Sequence, residues 1–181
     1  MSPFALRYKI PVLIALVTGL AVIVFGGETF WLNAIFAFAG ALLGAVLIDV
    51  EYLIDSYLID SQSPQAFKVK EMVSSKNLKG LVAFYNENEY QFGELSIRSG
   101  LFQLVLSLFV LYVIVAGQWI FMVALSLSLF ANLLYVQIIE FNRTKTLQRW
   151  FWFYNGALSE NFYKSYVVGY LFILIWLFTF L

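Results

Sequence analysis

Five long apolar runs divide the chain, and extended polar segments separate them in only two places. The runs cover residues 10–25, 30–48, 101–116, 119–139 and 166–181. A helix needs about 20 residues to cross a hydrocarbon core about 30 Å thick. Several runs are shorter than that, so we expect flanking residues to extend them. The pattern predicts an all-α, polytopic membrane helical bundle with about five transmembrane helices, built as a single membrane domain over residues 1–181.

The polar segment over residues 49–100 is predicted to carry helices of its own. Ser63 is a suitable N-cap, and Pro64 suits the first position of a helix. An apolar stripe with the helical spacing i, i+3, i+4, i+7 follows at Leu78, Leu81, Val82 and Tyr85. We therefore expect this loop to form amphipathic helices that lie on the membrane surface.

The basic residues predict how the chain is oriented. All eleven lie before the first run or in the two long polar segments, residues 49–100 and 140–165. The short turns near residues 26–29 and 117–118 contain none. By the positive-inside rule, the N-terminus and both long loops are cytoplasmic and the C-terminus is outside. We expect a multi-pass protein of the plasma (inner) membrane.

Composition supports the membrane assignment and excludes several chemistries. The chain is 62% hydrophobic, against about 45–50% in soluble domains. Eleven basic residues balance eleven acidic ones, so no charge excess points to nucleic acid as a partner. The chain has no cysteine and no histidine, which excludes disulfides, thiolate nucleophiles and imidazole ligation of a metal.

Three carboxylates follow the second apolar run, in the stretch LIDVEYLID. Asp49, Glu51 and Asp55 lie within seven residues. Hard cations prefer oxygen ligands, so these side chains are candidate ligands of Mg or Mn. The alternative is that a helix leaving the membrane simply becomes charged.

The predicted topology brings further polar residues to the same side of the membrane. Arg98 precedes the third run and could pair with a phosphate, because its planar guanidinium suits that anion. Asn132, in the fourth run, is a second candidate substrate-binding residue, or it hydrogen-bonds a neighbouring helix. Glu94 could assist a metal site there. Gly40 and Gly44 form a G-x-x-x-G motif for helix packing, within the bundle or in a homo-oligomer.

Three segments resemble a known family, the LexA-regulated, YdjM-like inner-membrane metal-dependent hydrolases. GALLGAVLIDVEYLID resembles the family segment G-A-L-L-P-D-x-D-H-x-x-D. SIRSGLFQ resembles its H-R-x-x-x-H-S segment before a membrane helix, and LFANLLYVQ resembles a later helix that carries H-L-x-x-D. The resemblance covers roughly residues 30–140. It implies a shared bundle in which Asp49, Glu51 and Asp55 match the acids of the metal site.

The chain departs from the family at every histidine. Tyr52 and Asn132 stand where the motifs have histidine, and Ile48 stands where the first motif has proline. We therefore expect a non-catalytic scaffold or accessory subunit, a hydrolase-like pseudoenzyme that works in the lipid bilayer with a protein partner or a second copy. The alternative is a membrane-bound metal-dependent hydrolase of phosphate esters or lipid head groups with a carboxylate-only metal site.

Overall fold

The computed structural model describes residues 3–27, 30–89, 92, 96–117 and 119–181. These residues form seven α-helices and no strand. The helices are α1 (Pro3–Phe25), α2 (Trp31–Ile54), α3 (Pro64–Ser74), α4 (Leu78–Asn88), α5 (Gly100–Val115), α6 (Ile120–Thr144) and α7 (Glu160–Leu177). A π-helical turn (Asp55–Ile59) continues α2, and short 3-10 turns occupy Gln148–Phe151 and Phe178–Phe180. The predicted all-α bundle is confirmed.

Four of the described helices, α1, α2, α6 and α7, are long and apolar enough to cross a membrane. Residues outside the apolar runs lengthen them, as expected. The fifth helix, α5, is apolar but has only 16 residues. The Ser99 hydroxyl accepts a hydrogen bond from the Phe102 N–H and begins α5 there, and Gly117 turns the chain at the other end with φ +61°. Caps on both sides therefore keep α5 short.

Helix α6 is the centre of the bundle and contacts α1, α2, α5 and α7. Its Leu127, Phe130 and Leu133 are fully buried. Helix α1, by contrast, leaves Leu13 and Val17 largely exposed, as expected for side chains that face lipid. The polar residues of α6 therefore lie inside the protein, where partners can satisfy them.

Helices α2 and α6 approach closely because α2 presents glycine at their contact. A Cβ atom at Gly44 would lie 2.5 Å from the Leu125 carbonyl oxygen, and one at Gly40 would collide with the Phe121 carbonyl. Small residues allow such close backbone approach inside membranes. The G-x-x-x-G face is thus covered by α6 of the same chain.

The surface helices α3 and α4 follow the predicted pattern with one exception. The Ser63 hydroxyl accepts a hydrogen bond from the Ala66 N–H at 3.1 Å, which confirms it as the N-cap of α3. Leu81, Val82 and Tyr85 of the predicted stripe are buried, but Leu78 is exposed. Leu78 is the first residue of α4, so the packed face begins one turn later.

Helical structure extends past residue 48, the end of the second predicted span. Helix α2 continues to Ile54, and the π-helical turn carries the chain to Ile59. Apolar residues go on alternating with acids here, and Tyr52 is fully buried. Because that burial continues past the run of residues 30–48, the acids lie on a packed helix and not in a loop.

Candidate functional site

One end of the bundle, here named the polar end, is the place where α1 begins, α2 and α6 end, and the segment before α5 returns to the bundle. A cleft of about 300 Å³ opens there. Six charged side chains line it: Arg7, Arg98, Arg143, Asp49, Glu89 and Glu140. The packing of the helices thus brings together charged residues from five separate parts of the sequence.

Asp49 is bound tightly by α1. Both of its carboxylate oxygens accept from Arg7, from Nη2 at 2.6 Å and from Nε at 2.7 Å. The Tyr8 hydroxyl also donates to Asp49 at 2.6 Å. Bidentate pairs of this kind are the strongest guanidinium–carboxylate contacts. The carboxylate is therefore engaged within the protein.

Glu51 holds the segment that leads into α5. Its Oε1 accepts hydrogen bonds from the backbone N–H groups of Ile97 and Arg98. Its Oε2 lies 3.6 Å from the Arg98 Nε. The side chain is only 2% exposed, so these partners compensate a carboxylate that is shielded from water.

Arg98 lies between the acids and is 4% exposed. Its Nη1 donates to Glu89 Oε1 at 2.6 Å, and its Nη2 lies 3.7 Å from Asp49 Oδ1. Burial alone lowers the pKa of the Arg98 guanidinium, but the surrounding Tyr52, Glu89, Glu51 and Asp49 raise that pKa above its ordinary value. Arg98 therefore stays charged and neutralises the cluster.

The ring of Tyr52 packs against the guanidinium groups of both arginines. The guanidinium of Arg98 lies 4.9 Å from the Tyr52 ring centroid, and that of Arg7 lies 5.4 Å from it. Tyr52 stacks on Tyr85 at 4.5 Å and meets Phe92 edge-on at 4.6 Å. Tyr52 thus offers a ring face to both cations.

The three predicted metal ligands are not arranged around an ion. Asp49 is engaged by Arg7, and Glu51 Oε1 by two backbone N–H groups. Asp55 is buried in the π-helical turn and does not line the cleft. The described residues contain no group of three or more acids suited to a metal, and Glu94 lies outside them. Asp49 and Glu51, but not Asp55, lie within 4 Å of the Arg98 guanidinium.

Asn132 lines the cleft from α6 and is fully buried. Its Nδ2 donates to the Ser128 carbonyl at 2.9 Å, within the same helix. Among the described residues its Oδ1 has no hydrogen-bond partner. The interhelical bond that the sequence suggested for Asn132 is made instead by the Ser128 hydroxyl, which donates to the Ala41 carbonyl of α2 at 2.6 Å.

The far wall of the cleft is fixed by the segment after α6. Glu140 Oε2 accepts from the Trp150 indole N–H at 3.1 Å. Arg149 lies 3.9 Å from Glu140 and donates to the backbone carbonyls of Glu89 and Phe92. This segment therefore clamps the end of α4 onto the bundle.

Arg7 and Tyr8 are among the site residues that sequence reasoning missed, with Glu89, Glu140 and Arg143. Arg7 entered only the orientation argument, and Tyr8 was not singled out. The Arg7–Asp49 pair spans 42 positions, and no local pattern reports such a contact. The one available signal was a basic residue at the start of a membrane helix on the side where the acids were expected.

No protein-family model, no curated protein and no solved structure matches this chain.

Proposed function

We propose that this integral membrane protein is a non-catalytic scaffold or accessory subunit whose acidic motif has become a structural clamp. The observation that supports this function is the engagement of Asp49 by Arg7 and Tyr8 together with that of Glu51 by the Arg98 segment. These bonds tie α1, α2 and the segment before α5 into one unit. A metal ion would have to displace a bidentate guanidinium before it could bind.

Metal content and divalent-ion binding of the purified protein test this function. We expect no stoichiometric Mn²⁺ or Mg²⁺ at millimolar concentration, and the same result for an Asp49→Asn/Asp55→Asn double variant. Stoichiometric binding that the double variant loses would overturn the scaffold function.

A second candidate is a membrane-bound hydrolase of phosphate esters or lipid head groups. It is favoured by the cleft itself, which Arg98 and Asn132 both line. Screening phosphate esters with the purified protein tests it. Turnover that Asn132→Leu abolishes, while the folded fraction stays unchanged, would support the hydrolase.

We propose that the polar end is cytoplasmic, in a plasma membrane, because all basic residues fall on that side of a five-span topology. The chain has no cysteine, so single cysteines can be labelled without background. With an impermeant reagent on whole cells, Thr179→Cys should react and Lys79→Cys should not. The reverse pattern would invert the orientation.

A further inference from the structure

The lining of the cleft combines two kinds of surface. Charged groups surround it, whereas Ala45, Ile48, Val136 and Ile139 contribute apolar wall. The cleft lies where α1 and α2 reach the polar end, which is the depth of head groups if these helices span the bilayer. A polar ligand with an apolar attachment fits such a lining.

The charges of the lining select the ligand further. Three guanidinium groups face three carboxylates, so the cleft carries no excess of either sign. A purely anionic ligand would be attracted by the arginines but repelled by Asp49, Glu89 and Glu140. A purely cationic ligand would be attracted by these carboxylates but repelled by the arginines. A group that carries one charge of each sign can use both halves of the lining.

Two atoms in the lining have hydrogen-bonding capacity left. Asn132 Oδ1 is fully buried and accepts no hydrogen bond from the described residues. A buried acceptor without a partner costs free energy, so a ligand that donates a hydrogen bond to Oδ1 is favoured here. Arg98 Nη2 is 3.7 Å from Asp49 Oδ1, which is longer than a hydrogen bond. Its N–H groups therefore remain able to bind an anionic oxygen.

We propose that this cleft binds a zwitterionic amino-phosphate, the chemistry of a phosphoethanolamine head group, with its ammonium donating to Asn132 Oδ1 and its phosphate meeting Arg98. The ligand comes either from a membrane lipid or from a soluble amino-phosphate. This site goes beyond the scaffold function and does not depend on it, because binding requires no metal and no turnover.

Lipid binding measured by native mass spectrometry, with the full chain released from detergent, tests the proposal. The probes are phosphatidylethanolamine, phosphatidylcholine and phosphatidylglycerol with identical acyl chains. Phosphatidylcholine keeps both charges but has no N–H, and phosphatidylglycerol lacks the ammonium. We expect phosphatidylethanolamine to bind about tenfold more tightly than either, the usual effect of one buried hydrogen bond. Binding of soluble phosphoethanolamine, with the same preference for an ammonium over a trimethylated group, would indicate a soluble source.

Variants locate the binding in the cleft. Asn132→Leu removes the acceptor and should abolish the preference for phosphatidylethanolamine. Ile139→Trp fills the cleft from a partly exposed position and gives the same loss should Asn132→Leu not fold. Lys164→Gln removes a cation outside the cleft and should change nothing. Equal binding of the three lipids and no binding of soluble phosphoethanolamine, or a preference that survives Ile139→Trp, would overturn the proposal.

Discussion

The two ends of the bundle are held together by different forces. At the polar end, Arg7, Asp49, Glu51 and Arg98 form directional bonds between helices. At the opposite end, named here the apolar end, the described residues form no ion pair. Turns there close the α1–α2 and α5–α6 connections, and Val22, Ile114 and Leu181 line a shallow hollow. One end is therefore fixed by charge pairing and the other by packing and chain reversal.

This difference shows where a membrane bundle tolerates charged side chains. Ion pairs near the membrane boundary escape the full cost of hydrocarbon, and the same pairs near the centre would not. Large exposed aromatics, Trp31 and Trp119, mark the apolar end instead. Such rings suit the membrane–water boundary and anchor a helix end without any charge.

Removing the central cation of the polar end should have the largest effect. Arg98→Met leaves Glu51 and its neighbours as buried carboxylates without their counter-charge. We expect a loss of about 3–5 kcal/mol in the free energy of unfolding, measured by denaturant titration in micelles. Glu51→Gln is the matched control, since it keeps an acceptor for both N–H groups and should cost less. A loss below about 1 kcal/mol for Arg98→Met would mean that the cluster is solvated.

A larger residue at the α2–α6 contact should have the second-largest effect on stability. Gly44→Ala places a methyl group 2.5 Å from the Leu125 carbonyl oxygen and 2.9 Å from the Leu129 nitrogen. We expect a loss of about 1–3 kcal/mol, measured by the same titration. Gly169→Ala makes the same change in a helix where no atom beyond the adjacent helix backbone lies within 4 Å of the new methyl group. That control should be neutral or slightly stabilising, and equal effects of the two variants would contradict the close contact.

Hydrogen bonds between buried amides should matter less than the ion pairs. Gln103 and Gln137 exchange side-chain bonds of 3.1 and 3.4 Å, and the Tyr166 hydroxyl donates to Gln103 Oε1 at 3.1 Å. We expect Gln137→Leu to cost about 1 kcal/mol. A double-mutant cycle with Gln103→Leu measures the coupling. A coupling energy near zero would show that the amides do not stabilise each other.

The smallest effects should come from the turns of the apolar end. Gly27 and Gly117 have φ of +66° and +61°, and no atom beyond their chain neighbours lies within 4 Å of an added Cβ. Each Gly→Ala change therefore costs only the backbone strain of a left-handed residue, about 1 kcal/mol. Thermal unfolding in micelles measures it. A loss as large as that of Arg98→Met would reverse the ranking of the two ends.

The sequence predicts the helices well because long apolar runs and caps are local signals. It also places Arg98 and Asn132 at the end that carries Asp49, because topology follows from the order of the runs. It does not predict that Arg7 binds Asp49, since that pairing depends on how α1 packs against α2. Nor does it predict that Asp55 is buried outside the lining of the cleft, because the π-helical turn has no sequence signature among these residues.

The close α2–α6 contact has a consequence for the biosynthesis of the chain. Gly44 leaves the ribosome 81 residues before its neighbour Leu125, a delay of roughly 4–16 s at about 5–20 residues per second. The Arg7–Asp49 pair, by contrast, is complete within the first hairpin. The nascent α1–α2 hairpin is thus locked early at its charged end, while its glycine face waits uncovered for α6.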